Sequence, residues 1–307
     1  MLHARAVVAL VSVCGLSSIA AAQDLYALSG YTNPSLVRMD PVTGTTLEVH
    51  AITNVEALFG GLAINASGDL YSIDGYNDGN SDRLFKIDRA TGAGTVVGET
   101  RFNWNFRTLC FSPVSGVLYA ATDNNLFTMN TSTGEATLVA PVTEVGGTTR
   151  LDQLTCMVIG PGGQAYITDI GDTDLFSLDL ATGNATWIGS IGAFNWFDDL
   201  AFDGNGVLHG VRLNGGMYTV DTTAATVTFE FNTLIKGIAY FSDDGSCYAN
   251  CDGSTAAPIL NVNDFICFQA KFAAGDSYAN CDGSTSVPVL NINDFICFQS
   301  NFAAGCR

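Results

Sequence analysis

Basic residues are scarce in this sequence: 12 Lys and Arg face 30 Asp and Glu, leaving a formal net charge of −18 over 307 residues. Such a balance excludes nucleic-acid binding by phosphate neutralisation and disfavours an anionic membrane surface, while cations remain natural ligands. Charge of either sign is sparse too, at 14% against 47% apolar residues. That ratio rules out a predominantly disordered chain, and long surface helices laced by ion pairs are not expected. Histidine is limited to three residues, and beyond residue 22 only His50 and His209 remain. No Ser/His/Asp or Cys/His constellation and no His-rich zinc motif can be assembled, so no catalytic residue is assigned. Nor is there a run of about 18 apolar residues, the minimum for a membrane span. Residues 1–22 read instead as an export signal, with Arg5 ahead of an apolar core over 6–16 and Ala20-Ala21-Ala22 before Gln23. Export implies a secreted protein, extracellular or at the cell surface, where the eight remaining cysteines can pair.

Glycine is plentiful, at 33 residues, and it punctuates a repeat. Four short patterns recur five times each between residues 24 and 241. A first apolar run (61–64, 109–111, 156–159, 200–202, 237–240) precedes a turn. A second carries an aromatic or His: Tyr26, Tyr71, Tyr119, Tyr166, His209. A third ends at Asp40, Asp88, Asn130, Asp179 or Asp221 and leads in four copies to a Thr-Gly turn, the first being Thr43-Gly44. A β-branched run follows as the fourth. Each run is too short for a stable helix, and the Gly, Asn and Asp turns are those that hairpins require. With the third pattern returning every 42–49 residues, four antiparallel strands per repeat describe a β-propeller blade. The chain starts at the second pattern, so the last copy of the first pattern is left to complete the opening blade and close the ring. The expectation is a mainly β fold, a five-bladed β-propeller over 23–242. This region resembles a broad group of secreted bacterial propellers with the repeat Gly-x-Leu-Tyr…Leu-Phe-x-Ile-Asp-x-x-Thr-Gly, shown best by residues 84–92. Such propellers share a fold and no common chemistry.

Residues 243–307 contain a second repeat, of period 30, in which 248–275 and 278–305 agree at 22 of 28 positions. In each copy an Asn-Cys-Asp-Gly-Ser loop precedes an apolar segment opened by Asp264 or Asp294. Phe265, Phe268 and Phe272 share one helical face, and Gly275 ends it. Alternate oxygen-bearing residues with a Gly to ease the turn have the pattern of a calcium loop. At these residues the tail resembles a dockerin, the bacterial variant ending in Gly-Cys (Gly305-Cys306): a small α-helical, duplicated loop–helix domain that docks its host onto a cohesin-type partner. The resemblance carries calcium ligands onto Asn250, Asp252, Ser254, Asn261 and Asp264, and onto Asn280, Asp282, Ser284, Asn291 and Asp294. Asn250 and Asn280 stand where the family has Asp, and each loop runs three residues beyond the standard twelve; both departures lower calcium affinity. A disulfide-held mini-domain, its Asp and Asn residues capping turns and helices, is the other reading. Val262-Asn263 and Ile292-Asn293 occupy the family's partner-reading positions and differ from the Ser-Thr pair of the cellulosomal type. The expected partner is therefore a cohesin-like or other extracellular protein. Of six cysteines here, Cys247 and Cys306 are expected to clasp the ends. Cys251, Cys267, Cys281 and Cys297 pair within or across the copies; a four-thiolate zinc site is the rival, disfavoured by the lack of a C-x-x-C pair.

On the ring, the loops leading into the first-pattern strands should line one mouth of the central channel. Two share Phe-Asn-Trp (102–104 and 194–196), and Trp104, Arg107, Asp152, Trp196, Asp198, Asp199 and Lys236 lie in or beside such loops. Aromatic faces with charged hydrogen-bonding groups suit a carbohydrate or other polar ligand; the plainer reading is aromatic packing between blades. The function expected is a non-catalytic propeller for ligand or protein binding, attached through the tail. The alternative is a carbohydrate-active enzyme of glycoside hydrolase type, or its accessory subunit in polysaccharide breakdown, using paired carboxylates among Asp152, Asp198 and Asp199. Cys110 and Cys156, on neighbouring inner strands, are either bonded or buried thiols.

Overall fold

Short apolar runs bounded by Gly, Asn and Asp can satisfy their backbone groups as strands joined by tight turns. A computed structural model describes residues 23–304 apart from 31, 56, 59, 75–80, 103–104, 147–150, 152, 171–172, 193–195, 213–214, 243–248, 253, 255–259 and 282–286. The signal-like segment 1–22, Trp104, Asp152, Cys247, Asp282, Ser284 and Cys306 lie outside the described residues.

The chain opens with β1 (Gln23–Ser29), β2 (Ser35–Met39) and β3 (Thr46–Ala51). The next sheets are β4 (Ala63–Ile64), β5 (Leu70–Ile73), β6 (Arg83–Ile87) and β7 (Gly94–Glu99), then β8 (Thr108–Phe111), β9 (Leu118–Ala121), β10 (Asn125–Met129) and β11 (Ala136–Pro141). After a short β12 (Thr143–Glu144) come β13 (Leu154–Ile159), β14 (Ala165–Asp169), β15 (Asp174–Leu178) and β16 (Asn184–Ser190). The last full sheet is β17 (Asp199–Phe202), β18 (Leu208–Arg212), β19 (Gly216–Asp221) and β20 (Thr226–Phe231), and β21 (Ile235–Ser242) ends the ring. Each sheet runs in chain order from the axis outward, except that β21 takes the innermost place beside β1 in the opening blade and β12 lies outside β16 in the fourth. Antiparallel pairing of β21 with β1 sets Leu25 opposite Tyr240 and Leu28 opposite Gly237. Inner strands β4, β8, β13, β17 and β21 touch in a closed circuit. The fold is a five-bladed β-propeller closed by its two ends, as the repeat implies.

The Asp-x-x-Thr-Gly motif now has a physical account. Asp40 Oδ1 accepts from the N–H groups of Val42 (2.9 Å) and Thr43 (2.8 Å), and Asp88, Asn130, Asp179 and Asp221 cap their turns likewise. Those bonds hold the carboxyls of Asp40, Asp179 and Asp221 below the usual range. The glycine of the turn permits both a left-handed backbone and a close approach to the preceding blade. At Gly134, with φ of 78°, a Cβ would lie 2.5 Å from the carbonyl oxygen of Gly98 on β7. The fifth copy inverts this arrangement, with Ala225 in the turn and Gly189 on β16 making the room. In every blade the pairing of the third with the fourth strand from the axis also carries a register shift, which strengthens the local twist toward the blade's outer edge. β12 runs parallel to β16 and adds a fifth strand to that sheet, a feature with no repeat signal.

In the tail, α1 (Val262–Ala274) and α2 (Ile292–Ala304) follow their loops. Helix α1 begins two residues before Asp264, because Asn261 caps it and Asp264, its third residue, reaches back to the cap N–H. Gly275 ends it in the left-handed conformation, with φ of 72°. The phenylalanine faces meet antiparallel: Phe265 on Phe302 at 4.5 Å, Phe268 on Phe298 at 4.2 Å and Phe272 on Phe295 at 4.6 Å between ring centroids. The cystines form within each copy, Cys251–Cys267 and Cys281–Cys297, so the four sulfurs are cystines and not a zinc tetrathiolate. No helix among the described residues is long and apolar enough to cross a membrane.

Candidate functional site

The five inner strands define a channel with two mouths: a leading one, where they begin, and a trailing one, where they end. At the leading end the chain brings together Asp198, Asp199 and Lys236. Asp199 is 1% exposed. Its Oδ2 accepts from Leu62 N (3.0 Å) and Ile238 N (2.9 Å), and its Oδ1 from Leu200 N (3.0 Å). One carboxyl thus ties β17 to β21 and to the segment entering β4, three blades at one point. Burial pushes its pKa up to about 7, against the three N–H donors and Lys236, which favour the anion. Lys236, 2% exposed, is pushed down to about 8 by burial, opposed by Asp199 and Asp198.

Other residues expected at this mouth are engaged elsewhere or remain open. Arg107 forms an ion pair with Asp123, and its carbonyl accepts from Gly61 N (3.2 Å). Trp196 is exposed, while Phe102 and Phe106 of the other Phe-Asn-Trp loop pack on Phe127 at 5.2 and 5.0 Å. Cys110 and Cys156 are free, buried thiols whose pKa values burial pushes upward, so neither is an activated nucleophile.

The open space lies at the trailing mouth, which the repeat pattern had not singled out. A cavity of about 230 Å³ is walled there by one bulky residue from each blade: Ile64, Phe111, Ile159, Phe202 and Tyr240. Beside it sits His209, whose Nδ1 lies 3.0 Å from Glu230 and whose Nε2 lies 3.6 Å from Asp203. The His209 ring is 4.9 Å from that of Tyr240. Burial raises the Tyr240 phenol, with Glu230 and Asp203 adding to the effect, so it stays protonated. This buried polar group links the fifth blade to the closing strand. Only His209 carried a sequence signal, as the one non-tyrosine in its pattern.

In the tail, Asp264 and Asp294 are fully buried. Asp264 Oδ2 accepts from Asn261 N (2.8 Å) and Oδ1 from Asp252 N (3.3 Å); Asp294 Oδ2 accepts from Asn291 N (2.7 Å). Asn261 and Asn291 direct Oδ1 to the N–H groups of Asn263 and Asn293. Asn250 donates to Ser254 O (2.9 Å), while its own Oδ1 is buried without a hydrogen bond. Among the described residues no three His, Cys, Asp or Glu side chains gather as a metal site.

A family profile described as "Repeat of unknown function (DUF6923)" matches residues 77–257. No curated protein matches the sequence. Similar solved structures include a chain of a nidogen/laminin complex, 10% identical over 71% of this chain and 98% of that one, with a TM-score of 0.49. A protein of unknown function from Bacteroides thetaiotaomicron is 16% identical over 69% and 58%, with a TM-score of 0.46. Virginiamycin B lyase from Staphylococcus aureus is 13% identical over 67% and 62%, with a TM-score of 0.39.

Proposed function

The chain belongs to the family described as a repeat of unknown function (DUF6923), and on that footing we propose that it is an exported, non-catalytic propeller for ligand or protein binding, attached to an extracellular partner through a calcium-binding, dockerin-like tail. The observation that carries the docking role is a duplicated apolar patch. Val262 and Ile266 on α1 are 68% and 58% exposed, and Ile292 and Ile296 on α2 are 69% and 55% exposed. Spaced four apart, each pair shares one helix face, and the phenylalanines take the inward one. Two equivalent exposed aliphatic pairs on so small a domain support an interaction surface there. Calcium would be held by Asn250, Asp252, Ser254, Asn261 and Asp264 and by their counterparts, fixing the loops that orient those patches. The cystines are compatible with an oxidising, extracellular setting. A non-catalytic ring agrees with an Asp199 that is buried and bonded to three backbone N–H groups, where a glycosidase needs its carboxyls open to the sugar.

The test is binding of the full chain to a panel of cohesin domains in calcium and in chelator. Calcium-dependent capture that Ile266→Asp with Ile296→Asp abolishes supports the reading. If no cohesin binds and the protein takes up no calcium at millimolar concentration, the tail is a cystine-held mini-domain.

A further inference from the structure

We propose that the trailing mouth of the ring binds a small, neutral aromatic molecule with a polar edge, of the phenol or indole class. The inference deepens the ligand-binding part of the preceding reading and concerns the ring alone, so it stands whether or not the tail docks. Three observations converge on it.

The first is shape. The cavity of about 230 Å³ lies below the roughly 300–1,000 Å³ of drug-sized sites, so a single- or double-ring molecule fills it. It is a cup closed at depth: Leu62, Cys110, Leu200 and Ile238 line its inner part, and the Asp199 carboxyl joins the N–H groups of Leu62, Leu200 and Ile238 just behind them.

The second is wall chemistry. Phe111, Phe202 and Tyr240 offer ring faces and edges, and Ile64 and Ile159 aliphatic contact. Inner strands are sheet edges, so their alternate N–H and C=O groups point toward the axis. A ring with an O–H or N–H at its edge meets both kinds of surface.

The third is charge. Among the described residues no Lys, Arg or His lines the cup, and the one acidic side chain there, Asp203, is committed to its own turn through Asn205 N (2.9 Å) and Val207 N (2.7 Å). An anion finds no counter-charge there, on a protein of net charge −18. A polyol finds too few polar side chains.

Titration of the full chain with 4-fluorophenol, followed by fluorine NMR, tests the assignment. Saturable binding is expected, with 4-fluorobenzoate at least tenfold weaker. Ala239→Leu, which fills the cup from β21, should weaken 4-fluorophenol at least tenfold. Ile64→Trp covers the partly exposed rim instead and should do the same with an unchanged melting temperature, which keeps the test valid if the core substitution misfolds. Absence of binding to the wild type, equal affinity for the benzoate, or full affinity in a folded Ile64→Trp protein would overturn the proposal. Loss of cohesin capture in the tail variants leaves each of these outcomes unaffected.

Discussion

The ring and the tail solve the same problem with opposite means. Five blades of four strands bury enough apolar surface that the ring needs no cystine among its described residues; its two internal cysteines remain thiols. Cohesion comes from repetition: capped turns, blade-to-blade contacts at Gly134 and Ala225, and one strand borrowed from the far end of the chain. The tail, about 60 residues long, cannot build such a core. It relies on a six-phenylalanine contact between two helices and on a cystine in each copy. Distributed packing leaves the ring a cavity on its axis, while local staples leave the tail's outer helix faces free to be apolar.

Perturbing each device separately breaks or sharpens that contrast. The largest effect is expected from deleting residues 237–241, which removes most of β21 and the innermost strand of the opening blade. The ring should lose its cooperative thermal transition altogether; a truncated protein that melts as the wild type does would refute closure. Next, Cys251→Ala with Cys267→Ala opens a loop of 16-residue separation, worth about 3 kcal/mol. Only the tail's transition should fall, since nothing in the ring depends on it.

Asp199→Asn should cost the ring about 1–3 kcal/mol, because the amide cannot accept all three N–H bonds. Its pH dependence has a definite sign. Burial raises the folded carboxyl to about 7, above the ordinary value near 3.9, so the folded state holds this proton more tightly. The stabilisation is complete below about pH 4 and is lost as pH rises through 7. Lys236, pushed down to about 8, acts oppositely: its contribution is present above its ordinary value near 10.4 and is lost as pH falls through 8. The turn carboxyls of Asp40, Asp179 and Asp221 are lowered, so they titrate below the window of Asp199. Melting temperatures of wild type and Asp199→Asn should therefore converge between pH 4 and 7, and a constant difference would contradict the buried-acid account.

The blades were legible because each strand announces itself locally: Leu-Tyr before a hairpin, Asp-x-x-Thr-Gly after the third strand, and a leftover apolar run that needs a partner. What stayed hidden depends on residues far apart in sequence. Asp199 reads as a turn residue until Leu62, 137 positions away, donates to it. The trailing cavity is assembled from the ends of five strands, one per blade, none of which looks unusual alone. His209 on β18 gains its neighbours only in the folded ring: Asp203 from the turn after β17, Glu230 from β20 and Tyr240 from the closing strand β21. In the tail both cystine pairings fitted the spacing of 16, 14 and 16. Only the folded tail, with Cys251–Cys267 and Cys281–Cys297 bonded, shows that each loop is stapled to its own helix.

The docking account rests on calcium reaching the tail and leaving the ring alone, and differential scanning calorimetry of the full chain in calcium and in chelator tests this directly. For a site on the order of 10⁻⁴ M, as in extracellular modules, calcium at a hundredfold excess stabilises by about 2.7 kcal/mol. The tail transition should then rise by about 20 °C while the ring transition stays in place, with magnesium giving much less. Two transitions that are identical in calcium and chelator would contradict the account.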